Sequence, residues 1–167
     1  MKKLFGIAFL LCFSFLSLNA QTATKNELPA ITLKDLNGKS VNFANYGANG
    51  KITLVSFWAT WCGPCKKELI KYNELYSGWQ TKYNVQMVAV STDNSRNVAK
   101  VKPYVAGQRW KCDVLLDVNQ DLQRAFNIAS IPYSLIIKDG KVVYQHNGYV
   151  DGDEKELEEQ LKKLAKN

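Results

Sequence analysis

The chain has 167 residues, 46% hydrophobic and 22% charged, with four cysteines and one histidine. That length suits one domain around one core, and no Pro/Gly/Ser-rich linker or internal repeat divides it. The net charge of +7 comes from bases scattered among acids, without basic runs interleaved with aromatics, so a solvated surface and no nucleic-acid partner are expected.

Residues 1–20 read as a signal peptide. Lys2 and Lys3 precede an apolar stretch from Leu4 to Leu18, and Asn19-Ala20 leads into the polar Gln21. This is the layout of a secretory signal cleaved after Ala20, which leaves residues 21–167 as one exported domain, periplasmic or otherwise extracytoplasmic. Kept in place, the same stretch would be a membrane anchor, although it is short for a span. Once it is cleaved, no stable membrane insertion is expected. Cys12 leaves with the signal, because Leu10 and Leu11 before it are not the small residues a lipid-attachment cysteine needs. Losing Lys2 and Lys3 lowers the charge from +7 to +5 and leaves Cys62, Cys65 and Cys112, an odd count for an exported protein.

In the remaining chain, Ile31 to Leu33 and Val41 to Phe43 flank Leu36-Asn37-Gly38 and predict a hairpin. Ile52 to Phe57 is nearly all apolar, as a strand covered on both faces of a parallel sheet must be. Trp61-Cys62-Gly63-Pro64-Cys65 follows, with two thiols three positions apart where the strand hands over to a helix. Unpaired N–H groups and the dipole at the helix start stabilise a negative sulfur, so Cys62 is expected to ionise more readily than a free thiol. Pro64 suits the first turn, where its missing N–H costs nothing and its φ is already helical. Such a pair is either a dithiol that closes on itself or half of a zinc site. Zinc would need both Cys112 and His146 as the other two ligands and nothing repeats the pair, whereas the rigid Gly-Pro insert and the strand-to-helix context suit redox turnover, so redox chemistry with no metal and no other cofactor is the expectation.

The helix after Cys62 carries Cys65, Leu69, Tyr72 and Tyr76 on one inward face and is predicted to end near Gly78. Glu68 lies three residues after Cys65, and two readings are open for it. It accepts the Cys65 proton, directly or through water, or it is an ordinary surface partner of Lys71. Val85 to Val90 is a second buried strand, and Ser91-Thr92-Asp93 reads as the cap of a helix up to about Gly107, kinked at Pro103. Cys112 opens a strand from Asp113 to Leu116 and reads as a buried, inert thiol rather than a second redox centre. Asp121 to Phe126 is a short helix. Tyr133 to Ile137 and Val142 to Gln145 form an antiparallel pair joined by Asp139-Gly140, with His146 a surface residue at its end and Pro132 opening its first strand. The last helix starts at Asp153, with acids first, Lys162, Lys163 and Lys166 last, and Leu157, Leu161 and Leu164 as its core stripe. The alternation is α/β with an antiparallel edge.

From Leu28 to Leu164 the chain resembles the thioredoxin-like proteins, and within them the exported TlpA/ResA-like thiol-disulfide oxidoreductases. The resemblance rests on Val55-Ser56-Phe57-Trp58-Ala59-Thr60 before WCGPC, Lys66-Lys67-Glu68 after it, Ile131-Pro132 before a strand, and Asp139-Gly140 before a final helix. It implies a thioredoxin-like fold: a central mixed β-sheet flanked by helices, with an N-terminal β-hairpin and a strand-helix insertion between Val85 and Asp117. It also implies that Cys62 is an exposed nucleophile that attacks a client disulfide and that Cys65 resolves the mixed disulfide. Glu68 matches a functional glutamate of this branch, and Ser56 stands where thioredoxin has a buried aspartate, so another acid is needed. Pro132 would be cis and face the dithiol, exposing the Ile131 backbone to a client beside Trp61, Gly63 and Pro64. The implied partners are client proteins with disulfides, apocytochrome c among them, and a membrane thiol donor that re-reduces the pair. The Gly-Pro dipeptide matches reducing thioredoxin, which favours a reductase. Two other functions remain on this fold. A peroxiredoxin-type peroxidase calls for a proline and threonine shaping the pocket, where this chain has Ala59-Thr60-Trp61. A copper-binding chaperone would use two cysteines at wider spacing and a distant histidine, here His146.

Overall fold

Every residue of Ile52–Trp58 is buried, and this strand (β3) runs through the middle of the sheet, as a continuous apolar run requires when both faces are covered. The computed structural model describes residues 28–166, so the predicted signal segment 1–20, with Cys12, lies outside the described residues. The other strands are β1 Thr32–Asp35, β2 Ser40–Asn42, β4 Val85–Ser91, β5 Asp113–Leu116, β6 Tyr133–Lys138 and β7 Lys141–Asn147. They form one seven-stranded sheet in the order β2-β1-β5-β4-β3-β6-β7. The β3–β4 and β4–β5 pairs are parallel and the remaining pairs antiparallel, which makes the sheet mixed.

Helices α1 (Gly63–Tyr83), α2 (Val101–Gln108), α3 (Asp121–Ala125) and α4 (Asp153–Ala165) flank the sheet. Successive residues of β3 serve opposite faces. Leu54 packs with Tyr72, Tyr76 and Trp79 of α1 and with Leu157 and Leu161 of α4. Val55 and Phe57 pack with Phe43, Leu115 and Leu122 on the other side. The predicted stripe of α4 is thus confirmed at Leu157 and Leu161, with Leu164 partly buried against the same cluster.

Three predicted boundaries are corrected. α1 runs through Gly78 to Tyr83 and stops at Asn84, whose φ of 54° is left-handed and whose N–H bonds Gln80 O. A glycine inside a helix costs about 1 kcal/mol; the burial of Tyr76 and Trp79 on either side of it offsets that cost. The helix predicted to start at Ser91-Thr92-Asp93 begins later and is not capped there. A single 3-10 turn at Val98–Lys100 leads into α2, where Pro103 sits in the first turn and does not kink it. In the hairpin, the Asp35 carboxylate accepts the N–H groups of Asn37 and Lys39 and turns the chain, so the strands sit a residue or two from their predicted limits. Phe43 opens a 3-10 helix, Phe43–Gly47, capped by the Asn42 side chain.

That 3-10 helix abuts the β6–β7 turn. A Cβ at Gly47 would lie 2.6 Å from Gly140 Cα, and Gly140 is itself held at φ 73°. Backbone cannot yield as a side-chain end does, so Gly47→Ala is expected to cost about 1–3 kcal/mol. Urea unfolding measures it, and an unchanged midpoint would show that the turn can move aside.

Candidate active site

The end of β4 holds the chain as it leaves β3. Trp58 O accepts the Thr92 N–H at 2.8 Å. The buried Asp93 carboxylate accepts the Thr60 N–H at 2.8 Å, the Thr60 hydroxyl at 2.6 Å and the Ser91 hydroxyl at 2.9 Å. Asp93 therefore caps no helix; it clamps the loop that carries the cysteines.

Cys62 is the N-cap of α1, with Gly63 and Pro64 as the first two helical residues. Its sulfur accepts the Cys65 N–H at 3.3 Å. This is the electropositive end where a sulfur anion is best stabilised, as the strand-to-helix context predicts. Cys62 and Cys65 are joined in a disulfide, their Cα atoms 5.3 Å apart. The first cysteine is less open than the resemblance implies: Cys62 is only 6% exposed and Cys65 not at all. The difference still gives an incoming sulfur one accessible partner. Trp61 beside it is 62% exposed, whereas Trp58 is buried against Tyr104 and Trp110.

Two distant segments close around the dithiol. The Ile131–Pro132 peptide is cis, and Ile131 O lies 4.0 Å from the Cys62 sulfur. Gly63 and Pro64 share an open groove with Lys67, Tyr149, Val150 and Asp151. All the residues singled out from WCGPC and Ile131-Pro132 therefore meet at one end of the sheet.

Glu68 faces inward on α1 and is completely buried. Ser56 of β3 donates to its Oε2 at 2.6 Å, while Ser134 of β6 and Tyr72 donate to Oε1 at 3.1 and 3.3 Å. Ser56 and Ser134 are register partners on adjacent strands, so the two hydroxyls form a floor under the carboxyl. Burial pushes the Glu68 carboxyl up to about 7, against the three hydrogen bonds that favour its charged form. The surface-pair reading is overturned, because Lys71 pairs with Glu74 at 3.3 Å. Ser56 thus donates to an acid carried by the helix.

Cys112 lies before β5 among apolar neighbours, its thiol pushed up to about 12 mainly by burial, which suits an unreactive sulfur. His146 is not a plain surface residue: it is partly buried and its Nε2 sits 3.1 Å from Asp153 Oδ2. Among the described residues no group of three or more His, Cys, Asp or Glu is placed to hold a metal ion, and no helix is long and apolar enough to cross a membrane.

Sequence reasoning missed Ser134, Tyr72 and Asp93 as parts of this site. The signal for Ser134 was present, since its hydroxyl, placed directly before the apolar run Leu135-Ile136-Ile137, must find a partner when buried. Asp93 was noticed for its residue type, but its partner Thr60 is remote in sequence.

The redoxin family model matches residues 23–161. The chain belongs to the redoxin family. A thiol-disulfide oxidoreductase, ResA of Bacillus cereus, is 31% identical to this redoxin over 161 residues, 96% of this chain and 89% of its own length. The solution structure of a thioredoxin-like protein from Porphyromonas gingivalis superposes with a TM-score of 0.74 at 43% identity, covering 83% of this chain and 92% of that one. StoA from Bacillus subtilis superposes with a TM-score of 0.62 at 25% identity, covering 77% and 98% of the two chains. The fold is thioredoxin-like, with the mixed sheet expected from the resemblance. With its Cys62–Cys65 disulfide at the helix start, this redoxin is a ResA-like thiol-disulfide oxidoreductase.

Proposed function

We propose that the protein reduces disulfides of client proteins outside the cytoplasm. The observation that carries this reading is the Cys62–Cys65 pair at the N-terminus of α1 with the buried Glu68 carboxyl on the same helix. Cys62, as thiolate, attacks one sulfur of the client disulfide, and the client's other sulfur leaves and takes a proton. Cys65 gives its proton to Glu68 and attacks Cys62, so the second client sulfur leaves as a thiolate and takes up a proton, which Glu68 returns directly or through water. The client gains two electrons and two protons, and the enzyme keeps an internal disulfide.

Trp61, Gly63 and Pro64 present the client-facing surface, and Ile131 with Pro132 offers backbone for strand-like pairing. The exposed indole of Trp61 and the nearness of Ile131 O to the Cys62 sulfur support this placement. Residues 1–20 act as the cleaved signal and residues 21–167 as the exported domain, supported by the layout around Ala20. A membrane thiol donor re-reduces the pair, apocytochrome c is one client, and no metal or other cofactor takes part. The reducing direction is supported by the Gly-Pro dipeptide between the cysteines.

Insulin reduction by residues 21–167 tests the reading. Turnover is expected with the native chain and is expected to fall to the uncatalysed rate in Cys62→Ser. Equal turnover by the variant would overturn the assignment of Cys62 as nucleophile.

A further inference from the structure

We propose that His146 is a positioning residue for this reaction: seated beside Ser134 and paired with Asp153, it sets the charge that the Glu68 carboxyl faces. The proposal rests on the reading of Glu68 as the proton acceptor and extends it to a residue far along the chain.

Ser56, Ser134 and His146 are successive register partners across β3, β6 and β7. Partners in antiparallel strands project from the same face of the sheet, with Cβ atoms about 5 Å apart. Along β7 the burial alternates, and Tyr144 and His146 are on the more buried side. Their rings are parallel, 6.4 Å apart, and Tyr144 packs into the α1–α4 cluster. His146 therefore continues the row of hydroxyls beneath Glu68, one strand further out. Its Nε2 reaches Asp153 Oδ2, at the first residue of α4.

The groups around Glu68 divide by charge. β3 and β6 contribute only the Ser56 and Ser134 hydroxyls. Tyr72 of α1 and Tyr149 of the loop before α4 are phenols whose burial keeps them protonated, and Tyr144 of β7 is pushed up to about 12. Asp153 and Glu154 supply negative charge at the start of α4, with Glu154 bonded to Tyr149 and influenced by Lys71. Apart from Lys71, which acts on Glu154, His146 is the one group of this set that can carry a positive charge. With both ring nitrogens protonated, its contact with Asp153 is an ion pair and the ring attracts a Glu68 carboxylate; with one proton it is a neutral hydrogen bond. A charged His146 ring would act in the same sense as the Ser56, Ser134 and Tyr72 hydrogen bonds, which oppose the upward push of burial on the Glu68 carboxyl.

Carbon NMR of glutamate-labelled protein in the oxidised state reads the Glu68 titration directly, with the Glu68 signal assigned by its loss in Glu68→Gln. In His146→Gln the Glu68 midpoint is expected to move to higher pH. Stopped-flow release of thionitrobenzoate from its mixed disulfide with Cys62 is expected to slow by up to about threefold, the size of one full screened charge at this range. His146→Arg keeps a cation opposite Asp153 and should restore both, which a merely structural role would not. An unmoved Glu68 midpoint in His146→Gln, or a shift that arginine does not reverse, overturns the proposal. A moved midpoint with unchanged release supports the hold of His146 on Glu68 and instead removes Glu68 from the release step.

Discussion

With Cys65 replaced by serine, the protein is expected to attack one client disulfide and then stop, still covalently joined to it through Cys62. Both cysteines lie at the start of one helix with Cα atoms 5.3 Å apart, so the second thiol is held against the first throughout the cycle. A well-oriented intramolecular group acts at an effective concentration of roughly 10⁵ M or more. Millimolar glutathione cannot replace it, and release should slow by several orders of magnitude. The adduct is read on a non-reducing gel, and its partner is identified by mass spectrometry after capture from cells. Because Cys65 is fully buried and serine differs from it by one atom, the fold should survive and the first attack should be unchanged. Release near the native rate would mean that another group resolves the intermediate.

Glu68→Gln should move two measurements in opposite directions. Release of the mixed disulfide is expected to slow by about 10²-fold, the usual worth of a positioned proton acceptor, and to lose its pH dependence around neutrality. Stability above neutral pH is expected to rise. The carboxyl titrates near 4.5 when exposed and is pushed to about 7 in the fold, so between these values the folded state holds more protons than the unfolded one. Stability then falls as pH rises from about 4.5 through 7, and above that the full penalty of a buried carboxylate is present. Two to three pH units correspond to about 3 kcal/mol. Glutamine removes the charge, and the hydroxyls of Ser56, Ser134 and Tyr72 can turn to accept its N–H groups as well as donate to its oxygen. Urea unfolding of both proteins at pH 5 and pH 8.5 measures the difference. Equal stabilities at pH 8.5 would mean that Glu68 is not carrying a buried charge there. A stabler but slower variant would identify Glu68 as a group kept for its chemistry at a cost to the fold.

Much of this was legible from local pattern. The apolar run Ile52 to Phe57, the helix beginning at Cys62-Gly63-Pro64, the Asp139-Gly140 turn and the charge order along the last helix each depend on near neighbours in sequence. All four formed as read. The helix stop at Gly78 was misread because the burial of Tyr76 and Trp79 comes from remote strands. Ser91-Thr92-Asp93 has the residue types of a cap, and only the meeting of β3 and β4 shows that Asp93 is used by Thr60.

The sequence alone determined the reactive pair and its electrical setting, since a thiol at a helix start is stabilised by the backbone of the next few residues. It left Glu68 between a surface ion pair and a proton acceptor, because three-residue spacing places it on a helix face without saying what covers that face. Only the tertiary structure decided this, by bringing β6 alongside β3 so that Ser134 and Ser56 meet under the carboxyl. The same assembly turned His146 from a strand end into a neighbour of that site. The physical reason is that periodicity and helix-end electrostatics act over a turn or two. Desolvation of a charge is the sum over everything around it, including strands far along the chain.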